Sequence, residues 1–123
     1  MRKSTLGQMA DSELVERFAE LGIAQDGALF HEKYGKFNRL FDKMKAIGEE
    51  LRLRGRDARL LLQTLYNHPN LQVRLQAAKW TLGVAPVEAR RIIQQIYDLK
   101  LYPQAGDAGM CLSNLDDGTF KPE

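Results

Sequence analysis

The sequence predicts an all-α fold of about six helices. Three observations carry this. Apolar residues recur at steps of three and four along nearly the whole chain, they nowhere alternate over a strand length, and Gly, Pro and Asn residues interrupt the periodic stretches at helix-length intervals. The chain has 123 residues, 44% hydrophobic and 28% charged. That length suits one domain, which buries roughly 65% of its unfolded surface and needs no staples.

Asp11 or Ser12 is expected to cap a first helix whose stripe is Leu14, Phe18 and Leu21, with Gly22 loosening its end. An earlier start is open, because Thr5-x-x-Gln8 has capping-box spacing. A long second helix is expected from about Asp26 to Arg54. Along it Phe30, Tyr34, Phe37, Phe41, Met44 and Leu51 follow a four-then-three spacing, with Gly48 in the skipped slot. The same spacing fits a coiled-coil seam, but such seams prefer Leu, Ile and Val, so the stripe is assigned to the core as its aromatic anchor.

Gly55 is a natural stop, and Asp57 can cap a third helix with Ala58, Leu61, Leu62, Leu65 and Tyr66 on one face. His68-Pro69-Asn70 reads as a turn, with Asn70 capping a fourth helix from Leu71 to about Gly83. Ala77 and Ala78 on that helix admit a close neighbour. Pro86 in a first turn, with Glu88 at the positive end of the helix dipole, opens a fifth helix bearing Ala89, Ile92, Ile93, Ile96 and Tyr97. A sixth begins near Pro103, turns Ala105, Ala108, Leu112 and Leu115 inward, and ends at Gly118. The tail, 119–123, is expected to be loose.

Shifting the chain by 31 residues lays Ala58-Arg59-Leu60-Leu61-Leu62-Gln63-Thr64-Leu65-Tyr66-Asn67 over Ala89-Arg90-Arg91-Ile92-Ile93-Gln94-Gln95-Ile96-Tyr97-Asp98, with four identities in ten. Periodicity alone accounts for the apolar matches only, so the shift reads as an internal repeat of two helical hairpins. On this basis 1–55 is a helical cap, 56–118 holds two repeat-like hairpins, and 119–123 is a tail.

The stretch His68-Pro69-Asn70-Leu71-Gln72-Val73-Arg74-Leu75-Gln76-Ala77-Ala78 resembles the second helix of a HEAT or armadillo-type repeat: a capped turn, then Val-Arg, then Ala-Ala. More broadly, the chain is similar to a small bacterial family, the domain of unknown function 2019. The similarity runs from Glu13-Leu14-Val15-Glu16-Arg17-Phe18 through Lys36-Phe37-Asn38-Arg39-Leu40-Phe41-Asp42 to Gln104-Ala105-Gly106-Asp107-Ala108-Gly109-Met110 and Leu115-Asp116-Asp117-Gly118. The resemblance implies a compact armadillo-like α-α superhelix. It brings no activity and no catalytic residues.

The formal charge of +2 hides a segregation. Residues 1–51 carry eight basic and nine acidic residues, 52–91 eight and two, and 92–123 two and five. The basic middle contains Arg52, Arg54, Arg56 and Arg59 about one turn, Arg74 and Lys79 on the fourth helix, and Arg90 and Arg91 on the fifth. Arginine forks suit carboxylates or phosphates. These eight residues, with Trp80 as an aromatic anchor, form the candidate partner-binding set, although exposed arginines are commonplace and Arg74 at its place in such a repeat often has an internal carboxylate partner.

A catalytic reading finds less. No nucleophile with a base, working carboxylate pair or phosphate cradle is legible. His31 and His68 lack metal-ligand spacing, Cys111 reads as a small buried hydrophobe, and Glu49-Glu50 and Asp116-Asp117 read as solvated charge or C-terminal punctuation. Gly106 and Gly109 suit close helix packing. A lone cysteine fits a reducing cytoplasm, and the start lacks the apolar run of a secretory signal. The expected protein is therefore cytoplasmic and non-enzymatic, without cofactor, metal or membrane contact. It binds an acidic partner protein, nucleic acid being the alternative.

Overall fold

The structure is a computed structural model and describes residues 6–123. From Asp11 onward the chain forms α1 (Asp11–Phe30), α2 (Tyr34–Arg54), α3 (Arg56–Leu60), a 3₁₀ helix (Leu61–Leu65), α4 (Leu71–Thr81), α5 (Pro86–Leu99) and α6 (Gln104–Asp116). The described residues contain no strand, so the all-α expectation holds. Thr5, half of the alternative cap, lies outside the described residues. The chain divides into two compact units between Leu62 and Gln63.

In the first unit α1 is capped one residue before Asp11, the earlier of the two expected caps. Ala10 is the N-cap, and its backbone N–H donates to the Glu13 carboxylate at 2.8 Å, one half of a capping box. The helix then runs through Gly22 and Gly27 to Phe30, which corrects the expected break near Gly22. A glycine costs a helix about 1 kcal/mol, less than the ~1.5–3 kcal/mol gained by burying one leucine. Leu14, Phe18, Leu21, Gln25 and Ala28 are all buried along α1.

The break falls at His31-Glu32-Lys33 instead. Lys33 N–H donates to Ala28 O at 2.8 Å, and Glu32 takes a left-handed φ of 56°, the place a glycine usually holds in this helix-ending motif. The turn splits the aromatic stripe between two helices and overturns its role as core anchor. Phe30 is 82% and Tyr34 58% exposed, Phe41 is also exposed, and Phe37 is half-buried. The core face of α2 is Met44, Ile47, Gly48 and Leu51.

α1 and α2 form an antiparallel hairpin. Arg54, ending α2, bonds Asp11, starting α1, while Gln25 Nε2 lies 3.6 Å from Met44 Sδ midway along. Gly55 then turns the chain into α3 with φ 120° and ψ 175°, a backbone region essentially restricted to glycine.

The expected third helix resolves into α3 and the 3₁₀ helix, and the unit boundary falls within the latter. In the second unit Asn70 caps α4 as expected, its Oδ1 accepting from Val73 N–H at 3.1 Å. Thr81 donates back to Ala77 O at 2.9 Å and shares a buried 2.6 Å hydrogen bond with the Tyr66 hydroxyl. Pro86 opens α5, which buries Ala89, Ile92, Ile93 and Ile96. α6 follows a cis Tyr102-Pro103 peptide and buries Ala105, Ala108, Cys111 and Leu112.

Small residues set the spacing of this unit. Ala77 and Ala78 on α4 and Ala105 and Ala108 on α6 are fully buried, and a buried hydrogen bond from Gln104 Nε2 to Gln72 Oε1, 3.0 Å, joins the two helices. At Gly109 a Cβ atom would sit 2.8 Å from the Tyr97 ring, so α5 and α6 approach more closely than any side chain there permits without moving that ring. The tail leaves helix, but Phe120 N–H still donates to Asn114 O at 3.0 Å.

Two glycine substitutions should act in opposite directions. Gly27 lies in regular helix with open space around it, so Gly27→Ala should raise stability by ~0.4–1 kcal/mol. Gly55→Ala should lower it by about 1–3 kcal/mol. Urea unfolding of both variants measures this; equal shifts of the same sign would contradict the assigned backbone states.

Candidate functional site

The arginine-rich block divides into ion-paired, buried and exposed side chains. Arg54 is drawn into the first unit: Nη1 to Asp11 Oδ1 at 2.8 Å, Nε to Glu50 Oε2 at 2.9 Å and Nη2 to Leu6 O at 2.9 Å. The hydrogen bond to Asp11, then that to Glu50, holds its pKa above the ordinary arginine value. Arg59 on α3 is buried, with 7% exposure. Arg52 and Arg56, on either side of this clasp, are exposed.

In the second unit Lys79 bonds Asp107 at 2.8 Å, tying α4 to α6, and Arg90 bonds Asp116 at 2.7 Å, tying α5 to α6. Trp80 is half-buried and Arg91 exposed. Arg74 is half-buried, with a buried Nε that has no hydrogen-bond partner, and it forms no ion pair among the described residues. Of the candidate residues, Arg54, Lys79 and Arg90 thus act as internal links.

The other residues weighed for chemistry have structural surroundings. His31 is exposed, edge-on to Phe30 with ring centroids 5.1 Å apart. His68 Nδ1 accepts from Asn70 N–H at 3.0 Å and so shapes the turn before α4. Glu50 and Asp116 hold Arg54 and Arg90, and hydrogen bonding from Thr119, first its side chain and then its backbone N–H at 2.8 Å, lowers the pKa of Asp117. Among the described residues no three His, Cys, Asp or Glu side chains converge as a metal site would require, and no helix is long and apolar enough to cross a membrane. A shallow cavity of about 350 Å³ lies in the second unit beside Leu82, Pro86, Arg90 and Leu115, where the one guanidinium is already paired.

A different cationic surface emerges on α2. Lys36, Arg39 and Lys43 are exposed at a three-then-four spacing, which aligns them along one side of the helix, and none forms an ion pair among the described residues. The charge division into 1–51, 52–91 and 92–123 misses them. It pools them with nine carboxylates, five of them on α1, and the sum comes out near zero. Their helical spacing was the signal that could have found them.

Two measurements check these assignments. Arg54→Met should lower the thermal midpoint by a few degrees, and the deficit should narrow in molar salt, which screens the wild-type pairs; a deficit indifferent to salt would remove charge from the account of this clasp. Burial pushes the Cys111 thiol above its ordinary pKa, so it stays protonated at neutral pH. Native protein should therefore react with a thiol reagent far more slowly than protein unfolded in urea, and equal rates would show the sulfur to be accessible.

A crystal structure of the protein RPA1889 from Rhodopseudomonas palustris is similar over nearly the whole length: 53% identity, a TM-score of 0.93, and coverage of 96% of this chain and 98% of that one. No match is found among curated proteins. The family model described as a domain of unknown function (DUF2019) matches residues 12–116, and the chain belongs to that family.

Proposed function

We propose that this chain is a non-enzymatic, cytoplasmic protein-interaction module that binds an acidic partner protein. The observation that carries this reading is the row Lys36, Arg39 and Lys43 on α2: three exposed cations on one side of a regular helix, none of them in an ion pair among the described residues. Lysine and arginine left unpaired beside one another repel, and an acidic surface removes that repulsion while adding charge-assisted hydrogen bonds. Arg91, and Arg74 with its unpartnered Nε, add to the same demand in the second unit.

The reading extends to a HEAT-like superhelical arrangement. Its support is the order of α4: the Asn70 cap, then buried Val73, then fully buried Ala77 and Ala78. The 31-residue repeat supports it less, since 58–67 is part α-helix and part 3₁₀ whereas 89–98 is α-helical throughout.

Affinity capture from native lysate tests the module, comparing wild type with a variant in which Lys36, Arg39 and Lys43 are changed to Glu. A partner enriched on wild type and lost on the variant is expected. Equal capture by both would overturn the role of this row. A labelled oligonucleotide displaced by the same three changes would turn the reading toward nucleic acid, whose phosphate contacts weaken steeply with salt.

A further inference from the structure

Resting on the acidic-partner reading, we infer that the acidic partner of the α2 row is the α1 face of a second copy of this chain. α1 carries its own exposed row. Glu13, Glu16 and Glu20 repeat the three-then-four spacing of Lys36, Arg39 and Lys43, and all three are solvent-facing. Beyond the charges the two rows continue in step. Ile23, 48% exposed, follows on α1 where exposed Ala46 follows on α2, and Phe30, 82% exposed, falls where Leu53, 83% exposed, falls. One offset of 23 residues therefore sets Glu13 against Lys36, Glu16 against Arg39 and Glu20 against Lys43, then Ile23 against Ala46 and Phe30 against Leu53.

Both rows keep the 3.5-residue average of a seam between two helices, over roughly 26 Å of helix. The residue between the apolar pairs also fits: Gly27 on α1 has open space around it, and it falls against Glu50, whose carboxylate is already held by Arg54.

The register is parallel. Inside one molecule it is unattainable, because α1 and α2 run antiparallel, with Arg54 at Asp11 and Gln25 at Met44. A second copy whose hairpin runs the opposite way presents its α2 parallel to the first copy's α1. The residues that would be idle on a monomer are the ones this contact uses: a leucine and a phenylalanine that are more than four-fifths exposed, and three cations without an ion-pair partner among the described residues. Counter-charges already present are modest. Glu13 caps the Ala10 N–H, and Arg17 stands 3.6 Å from Glu20 on the same helix. Because every copy carries both rows, the contact is made twice in a closed dimer or passes on to longer assemblies.

Exposed ion pairs are individually weak and salt-screened, so the association should be concentration-dependent. Sedimentation of the wild-type protein at about 200 μM should give a mass above the monomer at about 20 mM salt and fall toward the monomer at about 500 mM. Arg39→Glu with Lys43→Glu, and separately Glu16→Lys with Glu20→Lys, should each leave a folded monomer, checked by circular dichroism. Mixing the two variants should restore association, since each supplies the row the other lacks. A wild type that is monomeric at low salt, a reversed variant that still associates alone, or a mixture that stays monomeric overturns the inference. None of those results touches binding of a different acidic protein, which the lysate capture decides by itself.

Discussion

One guanidinium closes the first helical unit. Arg54 reaches carboxylates from two helices and a backbone carbonyl from the segment before α1, so the end of α2, the start of α1 and the chain leading into it are fixed by one side chain. Its fork geometry matters, because a lysine in that place offers a point charge rather than three directed donors. The hairpin's antiparallel register follows from this clasp at one end and from the buried Gln25 and Met44 pair further along. With the register set, the α1 and α2 rows of charge lie toward opposite ends of the hairpin and cannot neutralise one another.

Much of the fold was legible where the sequence used strong local chemistry. Asn70 capping Val73, Pro86 opening α5 and a proline before α6 each act within a few residues, and the elements they bound appear where expected. The first 55 residues misled for the opposite reason. A glycine in α1 was absorbed by burial on either side, while the real turn was made by Glu32 in a conformation that residue types other than glycine seldom adopt. An aromatic stripe that looked continuous was thereby divided, and its most prominent members ended on the surface.

The charged site was less legible than the fold. Net charge over a stretch says how many cations are present but not which carboxylate lies across the packing. Lys79 and Asp107 are 28 residues apart, Arg90 and Asp116 26 apart, and Arg54 and Asp11 43 apart, so no local pattern announces those pairs. What a sequence does preserve is helical spacing. The row at 36, 39 and 43 is visible at the scale of one helix and lost in a sum over residues 1–51.

The second unit's close seam has a spectroscopic consequence. Tyr97 lies over Gly109 with the Lys100 ammonium 3.6 Å from its ring centre, and the chain's single tryptophan, Trp80, is on α4 in the same unit. The first unit has no tryptophan, yet α1 and α2 are the two longest helices. Indole emission therefore follows α4 and its surroundings, while far-ultraviolet dichroism is weighted toward the α1 and α2 hairpin. The molecule carries two optical signals that belong to different halves of the chain, and their melting curves coincide only if the halves unfold as one.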